Sequence, residues 1–269
     1  MNRSQLEAAG EPVIHVPLVI GAVVPLYNLP GVTQPLNFTG QVLADIYLGK
    51  ITKWNDPALT ELNPNANLPD LGIQPVFRSD SSGTSNVFTE YLSKVSPEFR
   101  SRIGASTSPA FPPGVGIGQP KTDGVAGFVD RTPGAIGYVE VTYALDKKAQ
   151  FGAVQNKAGQ FVRADLASIT AAAASLTEPP TDEPYSLHEL TYSLTDPAGE
   201  NAYPIAAMSY AVLYARQANA AKGQALVSFL KWCVSPDAQR MAELRNYAPL
   251  PAELIARIHA KLDAVEVGK

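Results

Sequence analysis

The chain has 269 residues, 45% hydrophobic and 17% charged, with 21 basic and 25 acidic side chains and hence a net charge of −4. That balance excludes a disordered chain and leaves length for one large domain or two lobes around a buried core. The acidic excess argues against a nucleic-acid or anionic-membrane partner, and the single cysteine excludes an internal disulfide.

Met1 is followed by Asn2, Arg3, Ser4, Gln5, Leu6 and Glu7, a polar opening without the apolar run of a secretory signal. Val13 to Leu29 is the first long apolar stretch, interrupted by His15, Pro17, Gly21, Pro25 and Asn28. Its valines and internal prolines predict a buried strand that bends and then turns at Pro30-Gly31; no transmembrane segment is expected. Thr39 can cap a helix through Lys50, and Pro57 to Leu62 suggests a second, short one. Ile73 to Phe77 reads as a strand, and Val87, Phe88, Tyr91, Leu92 and Val95 fall on one face of the helix that follows.

Arg100 to Gly118 reads as a Ser/Pro/Gly loop, Asp123 to Arg131 as a helix and Ala135 to Val141 as a strand. A hairpin is expected from Phe151 to Val154 and Gln160 to Val162, and a helix from Ala164 to Leu176. Thr177 to Tyr185 is a Pro/acidic loop, Pro204 to Ala215 an apolar strand, and helical patterns at Ala221 to Val234, Pro236 to Leu244 and Pro251 to Val265 close the chain. Alternating strands and helices without an internal repeat predict an α/β fold with crossover connections.

One segment carries chemistry. Arg78-Ser79-Asp80-Ser81-Ser82-Gly83-Thr84-Ser85 lies between a strand and a helix, where the first N–H groups have no intrahelical partner and the helix dipole is positive. Gly83 permits close approach, Ser82 and Thr84 add hydroxyls, and Arg78 can aim a planar two-pronged donor that Asp80 braces. From the residues alone the segment is either an anion cradle or a capped helix with an exposed arginine.

The same eight residues closely resemble the ligand loop of the phosphate-binding protein of bacterial phosphate-specific ABC transporters. The resemblance extends in order through Val19 to Val24 with Tyr27 to Gly31, Asp45 to Asp56, Asp123 to Ala126, Pro133 to Glu140, Ala202 to Ile205 and Asn246 to Pro251. It implies a periplasmic-binding-protein-like type II α/β fold, two lobes joined by crossover strands and closing on one inorganic phosphate. Arg78, Ser82, Gly83 and Thr84 are similar to the phosphate ligands of the second lobe, and Asp80 to the acid supporting the arginine. The implied partners are the permease and ATPase subunits of a phosphate importer, with a monomer at the periplasm or cell surface and no cofactor.

The family also has a Thr-Phe-Pro loop, a serine in a Gly-Ser-Gly-type turn and an aspartate in a Ser-Asp-x-Pro turn, none of which occurs here. The expectation is an incomplete first lobe, residues 1–24 and 204–269, beside a second lobe, residues 25–203. Such a chain would bind phosphate weakly or not at all, its start assigned late or its gene a truncated paralogue. Val13 to Val24 and the closing helices would then be the weak region, with exposed apolar faces. The alternatives are an inert remnant or a binder of another oxyanion.

Other candidates read as structural. His15, His188 and His259 are far apart in sequence, without a metal-binding pattern. Cys233 falls in an apolar helical run and reads as a packed core residue. Gly114 to Gly118 reads as a flexible loop, Trp54 as packing, and Tyr138 and Glu140 as structural, with the loop around Gly134 bordering the cleft. No histidine or lysine lies in or next to the Ser-rich loop in sequence, so an enzyme is not expected.

Overall fold

A short helix α1 (Arg3–Ala9), with no buried residue, leads into the long strand β1 (Val13–Tyr27) that organises the molecule. The computed structural model describes Met1, residues 3–174 and residues 180–268. β1 is rich in β-branched residues, which suit a pleated, buried surface. Its prolines are accommodated at cost to the ladder: opposite Tyr210 and Ser209 the register steps from Pro17 directly to Val19.

The elements then run β2 (Asn37–Phe38), α2 (Gly40–Tyr47), α3 (Pro57–Thr60), β3 (Gln74–Arg78), α4 (Gly83–Val95), α5 (Pro97–Arg102), β4 (Ile117–Gln119), α6 (Lys121–Arg131), β5 (Ala135–Glu140) and α7 (Val141–Asp146). After them come β6 (Ala153–Gln155), β7 (Phe161–Val162), α8 (Leu166–Ala174), β8 (Ala206–Tyr214), β9 (Arg216–Gln217), α9 (Ala220–Cys233), α10 (Pro236–Glu243), α11 (Ala252–Asp263) and β10 (Glu266–Val267). Side chains start many of the helices: Thr39, Asp56, Ser82, Ser96, Asn219 and Ser235 each accept a main-chain N–H of the first turn.

The main sheet has the order β4-β3-β5-β1-β8. β3 runs parallel to β4 and β5, whereas β1 is antiparallel to β5 and β8. β1 changes partner along its length: Ala22 pairs Ala206 of β8, and Val23 pairs Glu140 of β5. Around it Tyr47, Phe88 and Tyr138 are fully buried, Phe88 and Tyr138 stacking with centroids 4.4 Å apart. Such a pair contributes about 0.5–1.5 kcal/mol beyond its buried area. Trp54 is also fully buried and donates from Nε1 to the Gly134 carbonyl at 2.9 Å, as packing requires of an indole.

Four expectations are corrected. The segment read as a loop from Arg100 to Gly118 contains the end of α5 and the start of β4, a three-residue strand paired at the sheet edge with β3. The strand ending at Val141 stops at Glu140 and turns directly into α7. Val13 to Val24 is not an exposed face: paired along its edges with β8 and, from Val23, with β5, it is mostly buried. The closing helices do expose large apolar side chains, at Phe229, Trp232, Met241 and Leu244, and so does β8, at Val212 and Tyr214. Cys233 is only half-buried, because α9 turns just Gly223 and Leu230 fully inward. The expected end of the Ala164 helix at Ser175 and Leu176, and the start of the loop at Thr177, lie outside the described residues.

Candidate functional site

The carboxyl ends of β3 and β5 lie side by side, and α4 starts just beyond β3. Open α/β sheets place ligands outside such strand ends. A cavity of about 360 Å³ occupies this place, lined by Arg78, Ser81, Ser82, Gly83, Thr84 and Glu140, with Gly21 to Val23 and Ala207 to Ser209 across from them.

Arg78 is the last residue of β3, and its side chain is only 12% exposed. Asp80 fixes it in a forked pair, accepting from Nε at 2.8 Å and from Nη2 at 2.6 Å. The remaining Nη1 reaches the Thr122 hydroxyl at 3.5 Å. Asp80 is itself held by the Lys121 main-chain N–H at 2.9 Å. The Arg78 hydrogen bonds and the Lys121 N–H keep the Asp80 carboxyl well below the usual carboxylate range. The sign follows: the pairing is present at neutral pH and is lost only as pH falls through that depressed value. Asp80 raises the Arg78 guanidinium in turn.

Ser82 is the N-cap of α4, its Oγ accepting from the Ser85 N–H at 3.3 Å. The N–H groups of Gly83 and Thr84 open the helix and have no intrahelical acceptor. No acidic residue occupies that first turn to compete for them. Ser82 is buried and its N–H donates to the Thr107 carbonyl at 2.8 Å, so the loop is tied down at the cap. The Tyr138 hydroxyl lies 2.8 Å from Ser85 Oγ and accepts from the Arg78 N–H at 3.4 Å. Burial raises the Tyr138 phenol.

The five residues singled out in the sequence, Arg78, Asp80, Ser82, Gly83 and Thr84, thus form one loop, and all but Asp80 line the cavity. Sequence reasoning missed the supports contributed by Lys121, Thr122 and Tyr138. Glu140, read as structural, is among the residues that line the cavity. The signal was available, since Tyr138 and Glu140 are two apart on a strand and share a face. Gly134 does not border the cleft; it precedes β5, at the opposite end from Glu140, with φ +84 and no room for a Cβ, which would stand 2.4 Å from the Gly72 carbonyl.

The histidines separate differently from their sequence spacing. His15 and His188 pack with ring centroids 3.7 Å apart, and burial lowers both. Among the described residues no group of three or more His, Cys, Asp or Glu could hold a metal ion, and no helix is long and apolar enough to cross a membrane.

A family model described as a PBP superfamily domain matches residues 2–237. The phosphate-binding protein PstS of Xylella fastidiosa (strain Temecula1) is 41% identical over 261 residues, covering 97% of this chain and 69% of that protein. The phosphate-binding protein PstS of Pasteurella multocida is 39% identical over 254 residues, covering 94% of this chain and 71% of its own length. Among solved structures, a high affinity periplasmic phosphate-binding protein (PfluDING) bound with phosphate superposes with a TM-score of 0.76 at 19% identity, over 97% of this chain and 76% of that one. At that identity the likeness is one of fold.

Proposed function

The chain belongs to the PBP superfamily, in the PstS family of phosphate-binding proteins with its two-lobed type II fold, and from that premise we propose that it captures inorganic phosphate for an ABC importer. One observation carries the placement of the ligand. Arg78, locked by Asp80, meets the open N-terminus of α4 at a single cavity. A phosphate there would take charge-assisted hydrogen bonds from the guanidinium, the Gly83 and Thr84 N–H groups and the Ser82 and Thr84 hydroxyls. The ligand set is therefore Arg78, Ser82, Gly83 and Thr84, with Asp80 in support.

The lobes in this reading are residues 1–24 with 204–269, and residues 25–203. The switch of β1 from β8 to β5 between Ala22 and Val23, beside the cavity, supports that division. The wall across from the loop adds only one polar side chain, Ser209, so in this reading phosphate is held weakly. The partners are the permease and ATPase subunits of the importer, and the protein works as a monomer in the periplasm or at the cell surface. In this reading it serves as a substrate-binding protein, as its family does, and not as an enzyme.

Calorimetric titration of the purified chain with phosphate tests the placement. The wild type gives a saturable one-site isotherm, and Arg78→Ala weakens it at least thirtyfold while the protein stays folded. Equal binding by the two proteins would remove the loop from the site.

A further inference from the structure

The segment before β8 is tied down from three sides. Residues 185–195 form a strap that opens with a single 3-10 turn, Tyr185–Leu187. On α4, Glu90 accepts from the hydroxyls of Tyr185 at 2.6 Å and Thr195 at 3.0 Å, and from that of Ser193. On α11, Arg257 donates to the Glu189 carbonyl at 2.7 Å and to the Tyr192 hydroxyl, while Lys261 pairs with the Glu189 carboxylate at 2.8 Å. The third tie, to β1, is of another kind: His188 packs on His15 with ring centroids 3.7 Å apart. His15 is only 5% exposed, and among the described residues nothing hydrogen-bonds His15 Nδ1 or His188 Nε2. Beside the rings lies a cavity of about 160 Å³, whose lining includes His15, His188, Glu189 and Lys261.

A proton added to either ring would put a charge into this buried contact, at atoms that have no acceptor. The surrounding groups offer no compensation. Lys261 and the Met1 amine, 3.3 Å from His15 Nε2, are cations, and Tyr210, edge-on to His15 at 6.3 Å, is a neutral phenol. The one carboxylate lining that cavity, Glu189, is already taken by Lys261. We propose that the His15–His188 contact is a pH-sensitive clasp, which holds the strap against β1 at neutral pH and opens on mild acidification while the anchors on α4 and α11 remain. Burial, and after it His188, pushes His15 down to about 4, and burial lowers His188 as well. Groups held below their ordinary value favour the docked strap fully above about pH 6.5, and that contribution is lost as pH falls from there toward about 4. At His15 alone, going from pH 7.5 to pH 5 favours the open clasp about thirtyfold. The Glu189–Lys261 pair survives over that range, because Lys261 holds Glu189 below its ordinary value. The strap leads on to β8, whose Ala207 to Ser209 line the cavity beside Arg78, so the clasp bears on that wall whatever anion sits there.

The test is amide hydrogen exchange at pH 7.5 and pH 5, corrected for the intrinsic pH dependence of exchange, on the wild type and on the double variant His15→Gln, His188→Gln. Gln keeps a polar side chain and removes the titration. The amides to follow are those of Leu187, His188, Thr191 and Tyr192, which donate within the strap or to Tyr210. In the wild type their protection falls at least tenfold between the two pH values, while that of the α4 amides holds within threefold. In the double variant the strap amides change less than threefold. No fall in the wild type, or an equal fall in the variant, overturns the clasp and leaves phosphate capture standing. Should the variant not fold, imidazole proton spectra of the wild type decide. A His15 ring that takes up its proton as strap protection is lost supports the clasp; one that takes it up with the strap still protected overturns it.

Discussion

On one wall of the cleft each charged or capping group is held by a second group; on the other, β1 and β8 offer strand backbone and one small hydroxyl. Arg78 is forked onto Asp80, Asp80 rests on the Lys121 N–H, and Ser85 at the head of α4 meets Tyr138. The wall across from them consists of Gly21 to Val23 and Ala207 to Ser209. Behind it the closing helices hold β1 through few polar ties, such as the Gln239 amide donating to the Leu18 carbonyl at 2.9 Å, and they leave large apolar side chains outside. The contrast teaches that placing charge takes a supporting layer, and that the supports are as much part of the site as the ligands.

The supports give the larger expected effect. Tyr138→Phe leaves the buried Ser85 hydroxyl without its partner and should cost about 1–2 kcal/mol in urea unfolding. It should also weaken phosphate several-fold, since the Arg78 N–H loses its hydroxyl acceptor beside the cavity. An unaffected stability would mean that the loop wall is no better held than the other. On the slack side, Leu244, 83% exposed on the outer end of the closing helices, marks the smallest effect. Leu244→Ser should change stability by under about 0.5 kcal/mol. A loss above about 1 kcal/mol would show that this face is packed in solution and that the contrast is overstated.

Much of this was legible in the residues. Strands and helices with strong periodicity, such as β1 and α4, were readable because burial on one face imposes the pattern. The loop was readable because its chemistry lies within eight consecutive residues, Arg78 to Ser85. What escaped depends on long-range pairing. β4 is a strand through its pairing with β3 at the sheet edge, and α7 begins with no capping hydrogen bond from the side chain of Glu140. The supports of Arg78 come from 43 and 44 residues downstream, at Lys121 and Thr122, and from Tyr138, 60 residues away. His15 and His188, 173 residues apart, meet only because the fold brings β1 to the segment before β8. The apolar run Phe229 to Val234 misled for the opposite reason: hydrophobic residues at helical spacing need not find a covering face.

The central claim is that phosphate sits on the opening N–H groups of α4 beside Arg78. Amide proton–nitrogen spectra recorded during a phosphate titration address it most directly. The Gly83 and Thr84 amides should move downfield together along one saturable curve, with the Arg78 Nε–H following the same curve. Saturable shifts elsewhere with Gly83 and Thr84 unmoved would contradict it.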